Sequence, residues 1–226
     1  MKTMIPDERL QTVASLVPKG ARLADVGSDH AYLPVYLLQK GQISEALATD
    51  VNEGPIRRAE ENIARAGLSA GIRTRKCDGL DGVEDFSPDT VTVCGMGGEL
   101  IASILDKSTY VISAQPLLIL QPMTQVGFLR RYLAQKGYEI IEERLCPEAH
   151  RLYQIILCRY AALPARELSP LVALAGEKTK NDPAFPLLLA KLHRQYEEIL
   201  CGKRKAGQNT DLEEKILWEI EHYEAP

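Results

Sequence analysis

Up to about residue 160, short runs of β-branched and apolar residues alternate with stretches whose apolar positions recur at helical spacing. That alternation is the rhythm of a mostly parallel sheet covered by helices, an α/β fold. Leu10, Val13, Ala14 and Val17 predict a helix over Asp7 to Leu16, ended by Pro18-Lys19-Gly20. A first strand, Ala21 to Val26, runs into Gly27-Ser28-Asp29-His30-Ala31-Tyr32-Leu33-Pro34. A helix then continues over Val35 to Gln39, with Pro34 tolerated in its first turn. The unit repeats with a strand at Glu45 to Asp50 and a helix at Pro55 to Ala66. A third strand covers Ile72 to Lys76, and a fourth, Thr90 to Cys94, is followed at once by Gly95-Met96-Gly97-Gly98 and a helix over Glu99 to Leu105. Leu117 to Gln121 gives a fifth strand and Gln125 to Lys136 a helix. Tyr138 to Arg144 and Leu152 to Arg159, joined by a turn, are most simply antiparallel.

The pattern changes near residue 163, where Pro164 and Pro170 follow the last strand-like run. We expect a domain over residues 1–163 and an appendage over 164–226. In the appendage Phe185, Leu188, Leu192, Tyr196 and Ile199 recur at helical spacing, and Leu212, Ile216, Ile220 and Tyr223 do so again. A polar turn over 202–210 separates them, and Asp211 can cap the second helix, which predicts an antiparallel helical hairpin of coiled-coil type.

Composition narrows the classes. The chain has 226 residues, 45% hydrophobic and 26% charged, enough for one large core with something smaller attached. No apolar stretch long enough to span a bilayer occurs, and the start lacks the apolar core of a signal peptide, so no membrane partner and a cytoplasmic location are expected. Cys77, Cys94, Cys146, Cys158 and Cys201 are odd in number and lack any CxxC pair, so they read as free thiols, and no metal set is expected. The net charge of -4 speaks against a wholly basic nucleic-acid surface but permits local basic patches.

In an open parallel sheet, ligands bind beyond the carboxyl ends of the strands where the strand order reverses. Polar or glycine-rich strand ends recur here at Asp25 to Leu33, Asp50 to Asn52, Cys77 to Gly79 and Gly95 to Gly98. The first of these departs from the dinucleotide fingerprint, because no third glycine falls in register and a pyrophosphate would meet Asp29. Asp50, at the tip of the second strand, suits two ribose hydroxyls. A nucleoside without a diphosphate fits this set, and S-adenosylmethionine fits it well, since its sulfonium and amino group favour nearby acceptors. Asp25 can steady the glycine turn or meet the amino-acid end, Asp50 can hold the ribose or cap a helix, and Asp78 can help to read the adenine or serve its turn.

Three runs carry a resemblance: Leu23 to Pro34, Cys77-Asp78-Gly79-Leu80 and Cys94-Gly95-Met96-Gly97-Gly98. In motif order over residues 7 to 160 they resemble the bacterial tRNA (adenine-N1)-methyltransferase family that acts on adenine 22, and the tail resembles that family's C-terminal coiled-coil appendage. The resemblance implies a Rossmann-like class I methyltransferase domain that takes S-adenosylmethionine as cofactor and tRNA as partner; no obligate protein partner is expected, though the helical tail can equally bind a partner or dimerise. Carried over residue by residue, it implies a cofactor site at Asp25, Gly27, Asp29, His30, Asp50, Asn52, Asp78, Gly79, Gly95, Met96 and Gly97.

The fourth strand end lacks the Pro-Pro-aromatic segment usual in exocyclic amino methyltransferases, and Cys94 follows Val93 rather than proline, so a covalent cysteine step is not expected. Transfer to a ring nitrogen needs its lone pair in line with the methyl group and a carboxylate near the positive charge that develops. Asp29 is the candidate, alternatively a helix cap or a cofactor contact. His30 can donate to substrate or fix the loop, and Tyr32 can stack on a base or face the core. A folded tRNA hides the adenine, so basic groups must grip phosphate near it. Arg57-Arg58, Arg73/Arg75/Lys76, Arg130-Arg131 and, at the hairpin turn, Lys203-Arg204-Lys205 are candidates, each equally a solvated face. Two other readings stay open: a methyltransferase for another RNA base or a small metabolite, and a non-catalytic RNA-binding module.

Overall fold

A computed structural model describes residues 6–223; Met1 to Ile5 and the last three residues, which belong to the chain start and appendage read above, lie outside it. Helix α1 (Glu8–Leu16) is capped by Asp7, whose carboxylate accepts from Leu10 N at 2.8 Å. The elements then alternate as the pattern predicts: β1 (Ala21–Val26), α2 (Tyr32–Gln39), β2 (Ile43–Asp50), α3 (Glu53–Arg65) and β3 (Ile72–Lys76). They continue with β4 (Thr90–Gly97), α4 (Gly98–Lys107), α5 (Thr109–Ala114), β5 (Leu117–Thr124), α6 (Val126–Gln135), β6 (Tyr138–Glu148) and β7 (Arg151–Tyr160).

These strands form one sheet of seven in the order β3-β2-β1-β4-β5-β7-β6. β1 to β5 pair in parallel, and β7 runs antiparallel to both β5 and β6. The chain therefore turns outward in opposite directions from the β1/β4 pair, which is the switch point of the sheet. Both faces are covered. Val91, Val93, Leu118 and Leu120 pack under Ile101, Leu105, Leu129 and Leu133 of α4 and α6. Leu23, Ala46, Ala48 and Ile119 pack under Val13, Leu37 and Ile63 of α1, α2 and α3. Each fully buried Leu or Ile contributes about 1.5–3 kcal/mol relative to exposure, so this three-layer core fixes where the strand ends lie.

The appendage is built from α7 (Pro170–Ala175), α8 (Phe185–Lys205) and α9 (Asp211–Glu221). His193 faces Glu221 and Lys203 faces Glu213, so α8 and α9 run antiparallel as a hairpin. Leu171, Phe185, Leu188 and Leu192 share a small core with Leu145 of β6, which docks the appendage against the sheet.

Several expectations are corrected. β4 does not stop at Cys94: Gly95 at φ +79 opens a bulge, after which Met96 and Gly97 pair with Pro122 and Thr124 of β5. The short helices α5 and α7 fall in stretches read as connections; one or two apolar turns carry too little periodicity to be seen. Asp211 opens α9 without capping it. Thr210 is the cap residue, and Asp211 N donates to Asn209 Oδ1 at 3.1 Å.

Candidate active site

The turn after β1 is held by its neighbour. Gly27 N and Ser28 N both donate to the Thr49 carbonyl, at 2.8 and 2.9 Å. Gly27 has φ +75, and a Cβ there would come within 2.1 Å of Met96 Cε, so the β4 loop closes directly over a bare backbone. Ala31 takes the left-handed conformation just before α2, and Asn62 Nδ2 of α3 donates to the His30 carbonyl at 3.1 Å. These contacts fix the loop from 27 to 31 at the switch point.

A cleft of about 160 Å³ opens there, lined by Asp25, Gly27, Ser28, Asp29, His30, Tyr32, Cys94 and Gly95, with Arg9 reaching in from α1. Asp25 is buried and its Oδ1 accepts from the Thr92 hydroxyl at 2.6 Å. With the turn amides satisfied by Thr49, Asp25 is not sealing its own turn. Burial pushes its carboxyl above the usual carboxylate range, while the Ser28 and Thr92 hydroxyls and the Arg9 charge pull the other way. The Ser28 hydroxyl is itself buried and makes no hydrogen bond of normal geometry. Gly95 leaves open space where a Cβ would project. A buried carboxylate, a buried hydroxyl beside it and a glycine facing open space form a cradle for the cationic, hydrogen-bonding end of a ligand.

That cleft is smaller than the ~300–1,000 Å³ of typical small-molecule sites, so a nucleoside must extend over the open ends of β2 and β3. Asp50 lies there, with Oδ1 accepting from Asn52 N at 2.8 Å; Asn52 is the cap residue of α3, without a side-chain cap bond. Asp78 is exposed and paired with Lys107 of α4 at 3.2 Å, beside Gly79 at φ +58. Thr49 Oγ1 meets the Gly79 carbonyl at 3.5 Å, linking the second and third strand ends. Thus Asp25, Gly27, Asp29, His30, Tyr32 and Gly95 share one cleft and Met96 closes on Gly27, whereas Asp50 and Asn52 lie at the end of β2 and Asp78 and Gly79 follow β3, outside the lining of that cleft.

Asp29 stands half-exposed at the mouth. Arg58 Nε donates to its Oδ1 at 3.0 Å, and Arg58 Nη2 reaches the same oxygen. His30 Nε2 lies 3.4 Å from Asp29 Oδ2, and the His30 ring stacks on Tyr32 with centroids 4.9 Å apart. Asp29 does not cap α2, whose cap residue is Ala31. Burial pushes the Cys94 thiol far up, so it stays protonated beside the cleft.

Arg9 and Gln121 carry no signal in the sequence that marks them for the site. Gln121 of β5 is wholly buried, and its Oε1 accepts from Arg9 Nη1 at 2.7 Å and Gly95 N at 3.1 Å. Arg9 and Gln121 are brought together only by the fold. Gly98 opens α4 against the β5–α6 connection, where a Cβ would lie 2.3 Å from the Gln125 carbonyl oxygen.

The basic candidates separate. Arg57 is exposed and faces Glu61. Arg73 lies near Glu45 and Arg75 near Asp85. Arg130 is corrected outright: it is 1% exposed and bound to Glu143, because its helical phase points it under α7, while the next residue, Arg131, is half-buried. Lys203 is tied to the buried Glu213 at 2.9 Å and Arg204 to Glu214 at 3.0 Å, so both serve the hairpin turn. Among the described residues no cluster of potential metal ligands occurs, and no helix is long and apolar enough to cross a membrane.

A general family described as methyltransferase domain matches residues 6–156. The Bacillus subtilis (strain 168) tRNA (adenine(22)-N(1))-methyltransferase is 37% identical over 217 residues, covering 94% of this chain and 91% of that protein. A Streptococcus pneumoniae structure in complex with S-adenosyl-L-methionine superposes with TM-score 0.83 at 34% identity, covering 96% of this chain and 100% of that one. A structure of M. capricolum TrmK in complex with S-adenosyl-homocysteine superposes with TM-score 0.76 at 28% identity, covering 96% of this chain and 93% of that one. The switch-point cleft and these full-length likenesses agree, and the chain belongs to the bacterial tRNA (adenine22-N1)-methyltransferase family.

Proposed function

We propose that the protein transfers the methyl group of S-adenosylmethionine to N1 of adenine 22 in tRNA, acting in the cytoplasm on residues 1–163 as the methyltransferase domain with 164–226 as its appendage. The observation that carries this reading is Asp25: a buried carboxylate at the switch point, met by hydroxyls but by no paired cation, is relieved by the ammonium of the cofactor's amino-acid end. When bound, the cofactor supplies an electrophilic methyl group on its sulfonium. Gly95, which leaves open space, would let backbone approach it, with Gly27 beneath Met96 and Gly97 against Thr124 shaping the loops around it; Asp50 would accept from the ribose, and Asp78 with Gly79 would border the adenine. Asp29 faces outward toward the substrate base, where its carboxylate accepts from the N6 amino group and offsets the positive charge that grows on the ring. Arg58 and His30 hold Asp29 in place, and Tyr32, backed by the His30 ring, offers a face for the extruded base. No proton need leave N1, since its lone pair is free in neutral adenine.

Unmodified tRNA incubated with the protein and labelled methyl donor, followed by nucleoside mapping by mass spectrometry, tests this. We expect 1-methyladenosine at position 22. Its absence while the cofactor binds would overturn the reading.

A further inference from the structure

A second cleft, larger than the one at the switch point, lies elsewhere on the molecule. It measures about 590 Å³ and lies between the β5–α6 connection and the C-terminal hairpin. Its lining contains two cations, Arg131 of α6 and Lys191 of α8, and no acidic residue, in a chain whose net charge is -4. Among the described residues neither cation makes a salt bridge, whereas Lys203 and Arg204 are committed within the hairpin. Phe128, 46% exposed, and Tyr196 present aromatic surface to the same cleft, and the exposed amides of Gln125 and Gln195 add hydrogen-bonding groups.

Position completes the argument. One edge of the cleft is formed by Pro122 and Thr124, which pair directly with Met96 and Gly97 at the methyl-transfer site. The end of β4 and the edge of this cleft are therefore joined through adjacent β5 residues. Unpaired cations beside exposed aromatic faces are the features with which proteins hold single-stranded nucleotides: cations take phosphate, and rings stack on bases.

We propose that this cleft seats the unpaired nucleotides that flank the target adenine, with Arg131 and Lys191 on phosphates and Phe128 under a base. The inference rests on the tRNA methyltransferase reading and adds the path of the RNA. It also moves the RNA contact of the appendage from the hairpin turn to the inner face of α8.

Two variants test it, R131A/K191A and F128A, each measured for tRNA affinity across a salt series and for cofactor affinity. For the double variant we expect the slope of log affinity against log salt to flatten by about 1.4, two contacts at roughly 0.7 each for single strands. For F128A we expect roughly 5- to 100-fold weaker tRNA binding, the loss of one stacked base. Cofactor affinity should stay within twofold of wild type in both, which also shows that the fold is intact. Wild-type tRNA affinity and salt slope in both variants would overturn the proposal and leave the cleft to a different partner. That outcome is separate from a failure of the enzymatic reading, which would appear as wild-type protein that makes no 1-methyladenosine at position 22.

Discussion

Arg58 Nε donates to Asp29 Oδ1 at 3.0 Å, joining the one outward-facing carboxylate of the first loop to the helix that follows β2. Both side chains are about half exposed, so the pair contributes at most about 1 kcal/mol to stability. Its consequence is positional: Asp29 is aimed, and part of its charge is already answered.

Two variants separate these effects. D29N should lower the single-turnover methylation rate by about a hundredfold or more at saturating tRNA, the scale of losing one electrostatic contact to a transition state. R58A should lower it less, about tenfold, because the carboxylate remains but is no longer held. Tm should shift by no more than about 4 °C in R58A. An R58A protein with the wild-type rate would remove the positioning role of Arg58.

Asp25 predicts a trade between stability and ligand affinity. Its folded-state pKa is raised by burial, so ionised Asp25 destabilises the ligand-free protein at neutral pH. That cost is relieved as pH falls through the raised value, because the folded state then takes up a proton before the unfolded state does. D25N removes the charge and keeps an acceptor for Thr92. In thermal denaturation without cofactor, D25N should therefore melt above wild type at pH 7.5, and the gap should close as the pH is lowered toward 4. S-adenosylmethionine should bind D25N about 10- to 100-fold more weakly, the loss of a charge-assisted hydrogen bond. A melting gap that widens on acidification would show that Asp25 is not the strained group.

Gln121 holds the β4 bulge through one oxygen shared by Arg9 and Gly95. Q121M keeps the volume and deletes the acceptor, leaving the Gly95 N–H without its partner at about 1–3 kcal/mol and Arg9 with Asp7 alone. The expected result is a Tm lower by several degrees together with weaker cofactor binding, because Gly95 lines the cleft. Unchanged calorimetric affinity in Q121M would limit Gln121 to a structural part.

The contrast between Asp29 and Gln121 shows what the sequence made legible. Asp25, Gly27, Asp29, His30 and Tyr32 fall in one run between a strand and a helix, so finding the strand end finds the loop. Arg9 and Gln121 are 112 residues apart and meet only through packing. Gly95 reads as a loop because a glycine breaks the apolar run, yet its positive φ makes a bulge and the ladder resumes. Arg130 reads as half of a basic pair, but adjacent helical residues point about 100° apart, and only the docking of α7 decides which one is buried. The parallel direction of β1 to β5 followed from strand–helix alternation, while the cleft beside β5 forms only with the hairpin in place.

Arg130 yields the last prediction. Its Nε donates to Glu143 Oε1 at 2.6 Å, its Nη1 to the Ala173 and Leu174 carbonyls at 3.0 Å, and its Nη2 to Gln154 Oε1 at 2.7 Å. A guanidinium so placed satisfies the C-terminal carbonyls of α7 and pins that helix, and the appendage with it, to the sheet. R130A leaves Glu143 buried without its charge partner, at a cost of about 3–5 kcal/mol, or very roughly 6–20 °C in Tm. Loss should begin at the appendage: amide exchange in α7 should accelerate before that of β1 and β4. Because α8 then drifts from β5, tRNA affinity should fall in R130A at temperatures where cofactor affinity is still wild type. Equal loss of both affinities would mean that Arg130 supports the whole sheet rather than the docking of its appendage.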